Sequence, residues 1–172
     1  MREISYFVAS SLDGFIAGPG ESIDWLFTDG DYGYSEFYRG VDCVVMGRKT
    51  FELSLSFPDY PYPGKRAYVF TRRTLKPPGA DVVVVKEAPD AFLAELKQQE
   101  GGRIWFVGGG ELGGELIQAG LIDEIVLTIH PVTLGGGVPL FKAHDRRTDW
   151  SVESVKSYRN GLVQVTYRRR GD

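Results

Sequence analysis

The stretch that decides the fold runs Arg103-Ile104-Trp105-Phe106-Val107-Gly108-Gly109-Gly110-Glu111-Leu112-Gly113-Gly114. Ile104 to Val107 has strand composition, the glycines after it turn the chain, and Leu112, Leu116 and Ile117 form an apolar stripe that Gly120 closes. This order predicts a strand, a tight turn and a helix. Such a turn is an anion site: unpaired backbone N–H groups and the positive end of the helix dipole point over it, and residues without a Cβ let a pyrophosphate approach the chain. The ligand expected there is a nucleotide. Gly108-x-Gly110-x-x-Gly113 also satisfies the dinucleotide fingerprint of a Rossmann unit. That fingerprint normally opens a domain, however, and an acid ending the next strand follows about 20 residues on. Here the glycines come late in the chain, and Asp123 and Glu124 fall where the next strand begins. No Gly-Lys-Ser or Gly-Lys-Thr follows, which excludes a P-loop. The alternative for these glycines is a turn that needs positive φ and close helix–strand packing.

Outward from that stretch, strands and helices alternate. Ile4 to Ser10 reads as a strand apolar enough on both faces to lie inside a sheet, and Ser11-Leu12-Asp13-Gly14 turns the chain, with Asp13 expected to bond backbone within that turn. A glycine-rich loop from Gly18 to Ile23 then leads to Asp24-Trp25-Leu26, the composition of a lid and equally of a surface excursion. Tyr32 to Arg39 reads as a helix, Val41 to Met46 as a buried strand, and Gly47-Arg48-Lys49-Thr50-Phe51-Glu52 as a turn into a second helix. Two cations at a helix start oppose the dipole unless an anion offsets them, so Arg48 and Lys49 mark either a second anion site or two solvated side chains. Ala67 to Phe70 ends in Thr71-Arg72-Arg73, a third cluster placed where ligands collect in open α/β sheets. Val82 to Val85 is all β-branched and reads as a central strand, Pro89 to Gln98 as a helix, and Glu124 to His130 as another strand. Trp150 to Tyr158 and Leu162 to Arg168 flank Asn160-Gly161, a strong hairpin signal. The fold expected is an α/β domain with a mainly parallel central sheet flanked by helices and a C-terminal antiparallel hairpin.

Composition narrows the function. The 172 residues suit one domain with a full core, and a net charge of −3 from 20 basic and 23 acidic residues favours neither nucleic acid nor an anionic membrane. Arg168, Arg169 and Arg170 read as a solvated strand end, and the single cysteine, Cys43, as a buried inert thiol. Two histidines, His130 and His144, and one cysteine cannot assemble a typical zinc site. No run approaches the about 18 apolar residues of a membrane span, and a cytoplasmic location is expected.

Six segments in order carry a resemblance: Ala9 to Ala17, Asp24-Trp25, Val45 to Phe51, Val69 to Arg72, Val107 to Leu112 and Leu121 to Glu124. Together they resemble the dihydrofolate reductase superfamily over nearly the whole chain. Leu134-Gly135-Gly136-Gly137-Val138-Pro139-Leu140-Phe141 is most similar to the late loop of the riboflavin-biosynthesis reductase domain, called RibD C-terminal, and its stand-alone bacterial relatives. The resemblance implies an NADPH site. Val107, Gly108, Gly109 and Gly110 with the backbone of Glu111 and Leu112 would hold the pyrophosphate, and Gly47, Arg48, Lys49 and Thr50 would offer phosphate contacts at the second helix start. Thr71 and Arg72 would meet the adenosine 2′-phosphate, whose charge selects NADPH through charge-assisted hydrogen bonds. Ala9 and Ile16 would line the nicotinamide, Trp25 would close over the site, and Thr128 matches a threonine that helps position the pterin in folate reductases.

Folate reductases also carry a carboxylate in the helix after the tryptophan, and Asp31 is the residue expected in that role, with Asp29 and Glu36 as weaker fits; Asp31 equally sits where a helix cap belongs. The activity implied is NADPH-dependent reduction of a nitrogen heterocycle or its ribosylamino side chain, first of the 5-amino-6-(5-phosphoribosylamino)uracil reductase type, with a dihydrofolate reductase-type or orphan reductase as the alternative. A phosphorylated sugar would need its own anion site, for which Lys86 or Lys65-Arg66 are available. A non-catalytic NADPH-binding sensor or scaffold and a flavin-binding protein stay open. The superfamily's habits and the apolar glycine loop at Leu134 to Phe141 lead one to expect a homodimer.

Overall fold

Ile4, Tyr6 and Val8 alternate with Ser5, Phe7 and Ala9, leaving no polar face to turn toward water, and this strand lies in the interior of the sheet. The computed structural model describes residues 1–76, 79 and 81–171. In chain order the elements are β1 (Ile4–Ser10), β2 (Phe15–Ala17), a 3-10 turn (Pro19–Glu21), α1 (Tyr34–Gly40), β3 (Val41–Gly47), α2 (Arg48–Leu55), β4 (Arg66–Phe70), β5 (Val82–Val85), α3 (Pro89–Gln98), β6 (Arg103–Gly108), α4 (Gly110–Gln118), β7 (Glu124–Ile129), β8 (Val138–Pro139), β9 (Trp150–Ser157) and β10 (Val163–Arg169). One sheet of eight strands runs in the order β5-β4-β3-β6-β1-β7-β10-β9. All pairs from β5 to β7 are parallel, whereas β10 runs antiparallel to both β7 and β9. The expected parallel sheet with an antiparallel C-terminal hairpin is what forms.

Period-2 alternation divides the core between the two faces. On one face Ile4, Tyr6, Val45, Ile104 and Phe106 pack with Leu93 and Leu96 of α3 and Leu112 and Leu116 of α4. On the other, Val44, Met46, Val69 and Trp105 pack with Phe37 of α1 and Phe51 of α2. The helices that follow β3 and β6 therefore lie on opposite faces, although those strands are neighbours. From β3 the chain moves outward to β4, and from β6 it passes beyond β1 to β7. That divergence opens a crevice at the C-terminal ends of β3 and β6, the switch point at which open α/β sheets bind ligands.

Several expectations need correction. Val82–Val85 is the edge strand rather than a central one, and only Val85 of its residues is fully buried. An all-valine run signals cover on both faces, and here α3 supplies part of that cover through Phe92, which meets Tyr68 and Phe70 of β4. The basic C-terminal run is not merely solvated. Arg168 bridges Glu3, Glu124 and Glu153, and Arg169 reaches Asp123, at the sheet end opposite the crevice. Phe15–Ala17 forms a short strand pairing with β8, and Leu140 and Phe141 of the late loop lie against the core. Cys43 is buried as expected, and burial pushes its thiol pKa up.

Candidate active site

Gly109 lines this crevice. Its φ is +110°, and a Cβ there would lie 3.5 Å from Thr50 Oγ1 and 3.9 Å from the backbone nitrogen of Gly47. The turn after β6 thus meets the turn after β3 face to face. Gly47 and Gly109 are the residues before α2 and α4, and neither helix start has a side-chain cap. Two sets of first-turn N–H groups are left for whatever lies between them.

Around this point opens a cleft of about 1560 Å³ over the C-terminal ends of the parallel strands. Every residue expected to touch the cofactor lines it: Ala9, Ile16, Gly47 to Thr50, Thr71, Arg72, and Val107 to Leu112. Four cations project into it with no ionic partner among the described residues, namely Lys49 at the start of α2, Arg72 and Arg73 after β4, and Lys86 after β5. Arg48 is held instead by Glu52, one helical turn on, at 2.6 Å, and Lys142 by Glu111 at 3.1 Å. Both acids are about half or more exposed, and pairs of that kind exchange readily for a stronger anionic partner.

Two loops close the other half of the cleft. Asp13 receives the hydroxyl of Ser11 in its own turn and, beyond it, the N–H groups of Leu134 and Gly135. The Ser11 hydroxyl, followed by the Gly135 N–H, holds the Asp13 carboxyl down at about 2. This clamp seats Gly137, Val138 and Pro139 as a wall of the cleft, and Gly137 is required there because a Cβ would come 2.1 Å from the carbonyl oxygen of Ala17. The second tie is His130, 3% exposed, whose Nε2 accepts the N–H of Phe27 at 3.2 Å. An accepting Nε2 puts the ring proton on Nδ1, which faces the Thr128 carbonyl oxygen at 3.4 Å. Burial pushes the His130 pKa below its ordinary value, which keeps the ring neutral. Trp25 and Phe27 both set ring edges against it at 5.1 Å.

The residues expected at the substrate end are less concentrated. Trp25 lies in the loop that carries the cleft residues Ile23 and Leu26, but its own ring packs on His130 and its Nε1 donates to Ser22 O. Thr128 sits one strand over from the cleft residue Ala9, and its hydroxyl accepts from Gln164 Nε2 at 2.9 Å. Asp31 is exposed and accepts the N–H and hydroxyl of Ser35 at the start of α1, outside the cleft lining. Asp13 and His130 were missed as residues that shape the cleft. Their loop partners Leu134 and Phe27 lie more than a hundred positions away, so no local pattern could have found them.

The sequence pattern of the RibD C-terminal domain matches residues 2–164. The chain is 40% identical over 172 residues to the uncharacterized protein YwjB of Bacillus subtilis, covering 98% of each. Its fold superposes on a putative riboflavin biosynthesis protein from Shewanella sp. PV-4 with a TM-score of 0.88 at 31% identity, covering 98% of this chain and 99% of that one. It also superposes on dihydrofolate reductase from Enterococcus faecalis, solved with NADP(H) and RAB-propyl, with a TM-score of 0.72 at 21% identity, covering 98% and 97%. The dihydrofolate reductase-like sheet, the converging glycine turns and the near-complete family match agree, and the chain belongs to the RibD C-terminal domain family.

Proposed function

We propose that this protein is an NADPH-dependent reductase that delivers hydride to a nitrogen heterocycle or its ribosylamino side chain, the reaction type of 5-amino-6-(5-phosphoribosylamino)uracil reductases. The observation that carries the reading is the meeting of two uncapped helix starts at Gly109 and Thr50, in one cleft with four cations that have no ionic partner among the described residues. A dinucleotide phosphate fits that arrangement. The Gly109 gap, which a Cβ would fill, admits a pyrophosphate to the N–H groups of Gly110, Glu111 and Leu112 and of the α2 start. Arg72, with Thr71 beside it, is placed to meet a 2′-phosphate at the end of β4, and Arg73 and Lys86 add charge from neighbouring strand ends.

Bound reduced nicotinamide supplies the hydride. Ala9 and Ile16 offer it an apolar wall, and the clamped loops bound that half of the cleft. The acceptor is reduced at a C=N carbon, and its nitrogen takes a proton from water or from Asp31, should the α1 start reorient toward the cleft. With its ring neutral and both nitrogens engaged, His130 holds the loop rather than the reacting proton. The edge strand β9 leaves Val152 and Val155 about 60% exposed, which supports a homodimer that light scattering at micromolar concentration would check. The activity is tested by following loss of reduced-nicotinamide absorbance on adding aminopyrimidine and pterin acceptors to protein saturated with NADPH. Acceptor-dependent oxidation is expected. NADPH binding without oxidation of any acceptor would favour the sensor reading instead.

A further inference from the structure

We propose that the acceptor reduced in this cleft is an uncharged, unphosphorylated nitrogen heterocycle, an inference that rests on the NADPH reading above. The cleft is electrostatically lopsided. Its cations without an ionic partner among the described residues, Lys49, Arg72, Arg73 and Lys86, all come from the ends of β3, β4 and β5, the half assigned to the phosphates of the cofactor. The other half is built by β1, β2 and the loop to Leu26. Among the described residues lining the cleft from those segments and from the late loop, Glu21 and Lys142 carry charge, Lys142 being paired with Glu111, and the rest are glycine, proline or apolar, including Phe7, Ile16, Ile23 and Leu26. Leu53 of α2 faces the same space and is 39% exposed.

A phosphate monoester on the acceptor would therefore be stripped of water against aliphatic and aromatic side chains, with the Glu21 carboxylate and a Lys142 already paired to Glu111 as its charged neighbours. The cations that sequence offered for it are elsewhere. Lys65 donates to the carbonyl oxygen of Val41 at 2.6 Å and lies over the Tyr38 ring, and Arg66 begins β4. Both belong to the strand ends opposite the cleft, while Lys86 sits beyond β5 among the cofactor cations. A planar, neutral ring system suits what remains, packing on Phe7, Leu26 and Leu53 and leaving backbone groups at the end of β1 for polar edges.

The test uses the whole protein saturated with NADP, and two probes that differ only in the phosphate: 5-amino-6-(ribosylamino)uracil and its 5′-phosphate. Calorimetry should show the neutral probe binding tighter by roughly tenfold or more, the expected penalty for an unpaired like-charge placement. In Ile23→Lys, which puts a cation in the apolar half, the gap should narrow or reverse. Equal or tighter binding of the phosphate by the unsubstituted protein overturns the proposal, as does a gap that Ile23→Lys leaves unchanged. If neither probe binds the NADP-saturated protein, the acceptor class is wrong while the cofactor reading stands. If NADP itself fails to bind, the reading beneath both is lost.

Discussion

The two halves of the cleft are made in different ways. The phosphate half consists of strand ends, turns and helix starts contiguous in sequence, β3 into α2 and β6 into α4, and its donors are backbone N–H groups. The acceptor half is held by side chains that reach across the fold: Asp13 to Leu134 and Gly135, and His130 to Phe27. A site of the first kind is sensitive to any atom added to its backbone and tolerant of much else. A site of the second kind depends on single polar groups, and its failure shows first as loosened loops.

The largest effect is expected where the backbone itself is the ligand. Gly109→Ala forces a Cβ onto a φ of +110° and into the gap beside Thr50, and NADPH affinity should fall by roughly a hundredfold, as for a misplaced binding group. Calorimetry measures this, with circular dichroism to show that the fold persists. Arg72→Ala comes next. Loss of one charge-assisted contact at about 1.5–3 kcal/mol predicts a roughly ten- to hundredfold weaker NADPH titration, with NADH little changed. Equal losses for both dinucleotides would show that Arg72 does not meet a 2′-phosphate.

In the acceptor half, His130→Leu removes the acceptor of the Phe27 N–H in a buried setting and should cost about 1–3 kcal/mol in urea unfolding. The same residue gives a pH signature. Its folded pKa lies below the ordinary 6.5, so the unfolded chain takes up the proton first as pH falls. The stability owed to neutral His130 is complete above about 6.5 and is lost as pH drops toward the folded value, so stability should fall on mild acidification and the fall should be absent in His130→Leu. The smallest effect is expected at Asp13→Asn. Its carboxylate is held at about 2 against an ordinary 3.8, so its contribution is present above 3.8 and lost between there and about 2. The variant should flatten that acid limb and raise the KM for the acceptor, since the clamp positions the Gly137 wall.

This contrast also explains what could be read in advance. Glycines followed by an apolar helical stripe, and cations just after strand ends, are local patterns, so Gly108 to Leu112, Thr50 and Arg72 were legible from residue order and all line one cleft. Composition misplaced Val82–Val85, because cover from α3 makes an edge strand look central. Asp13 serves its own turn through Ser11, but nothing near it in sequence announces Leu134. Asp31, expected as the substrate carboxylate, has its hydrogen bonds at the start of α1. Acceptor chemistry is decided by such long-range ties, and for that reason it is the part that sequence left open.

The central claim is that converging helix starts and the β4-end cations form a site for NADPH. Its most direct test is a pair of titrations of the unsubstituted protein with NADPH and NADH, following quenching of Trp25, Trp105 and Trp150 fluorescence. Saturable NADPH binding, tighter than NADH by roughly a hundredfold, is the predicted result, from two or three charge-assisted bonds to the 2′-phosphate. Indifference to both dinucleotides would contradict the claim and leave the glycine turn as a device of packing alone.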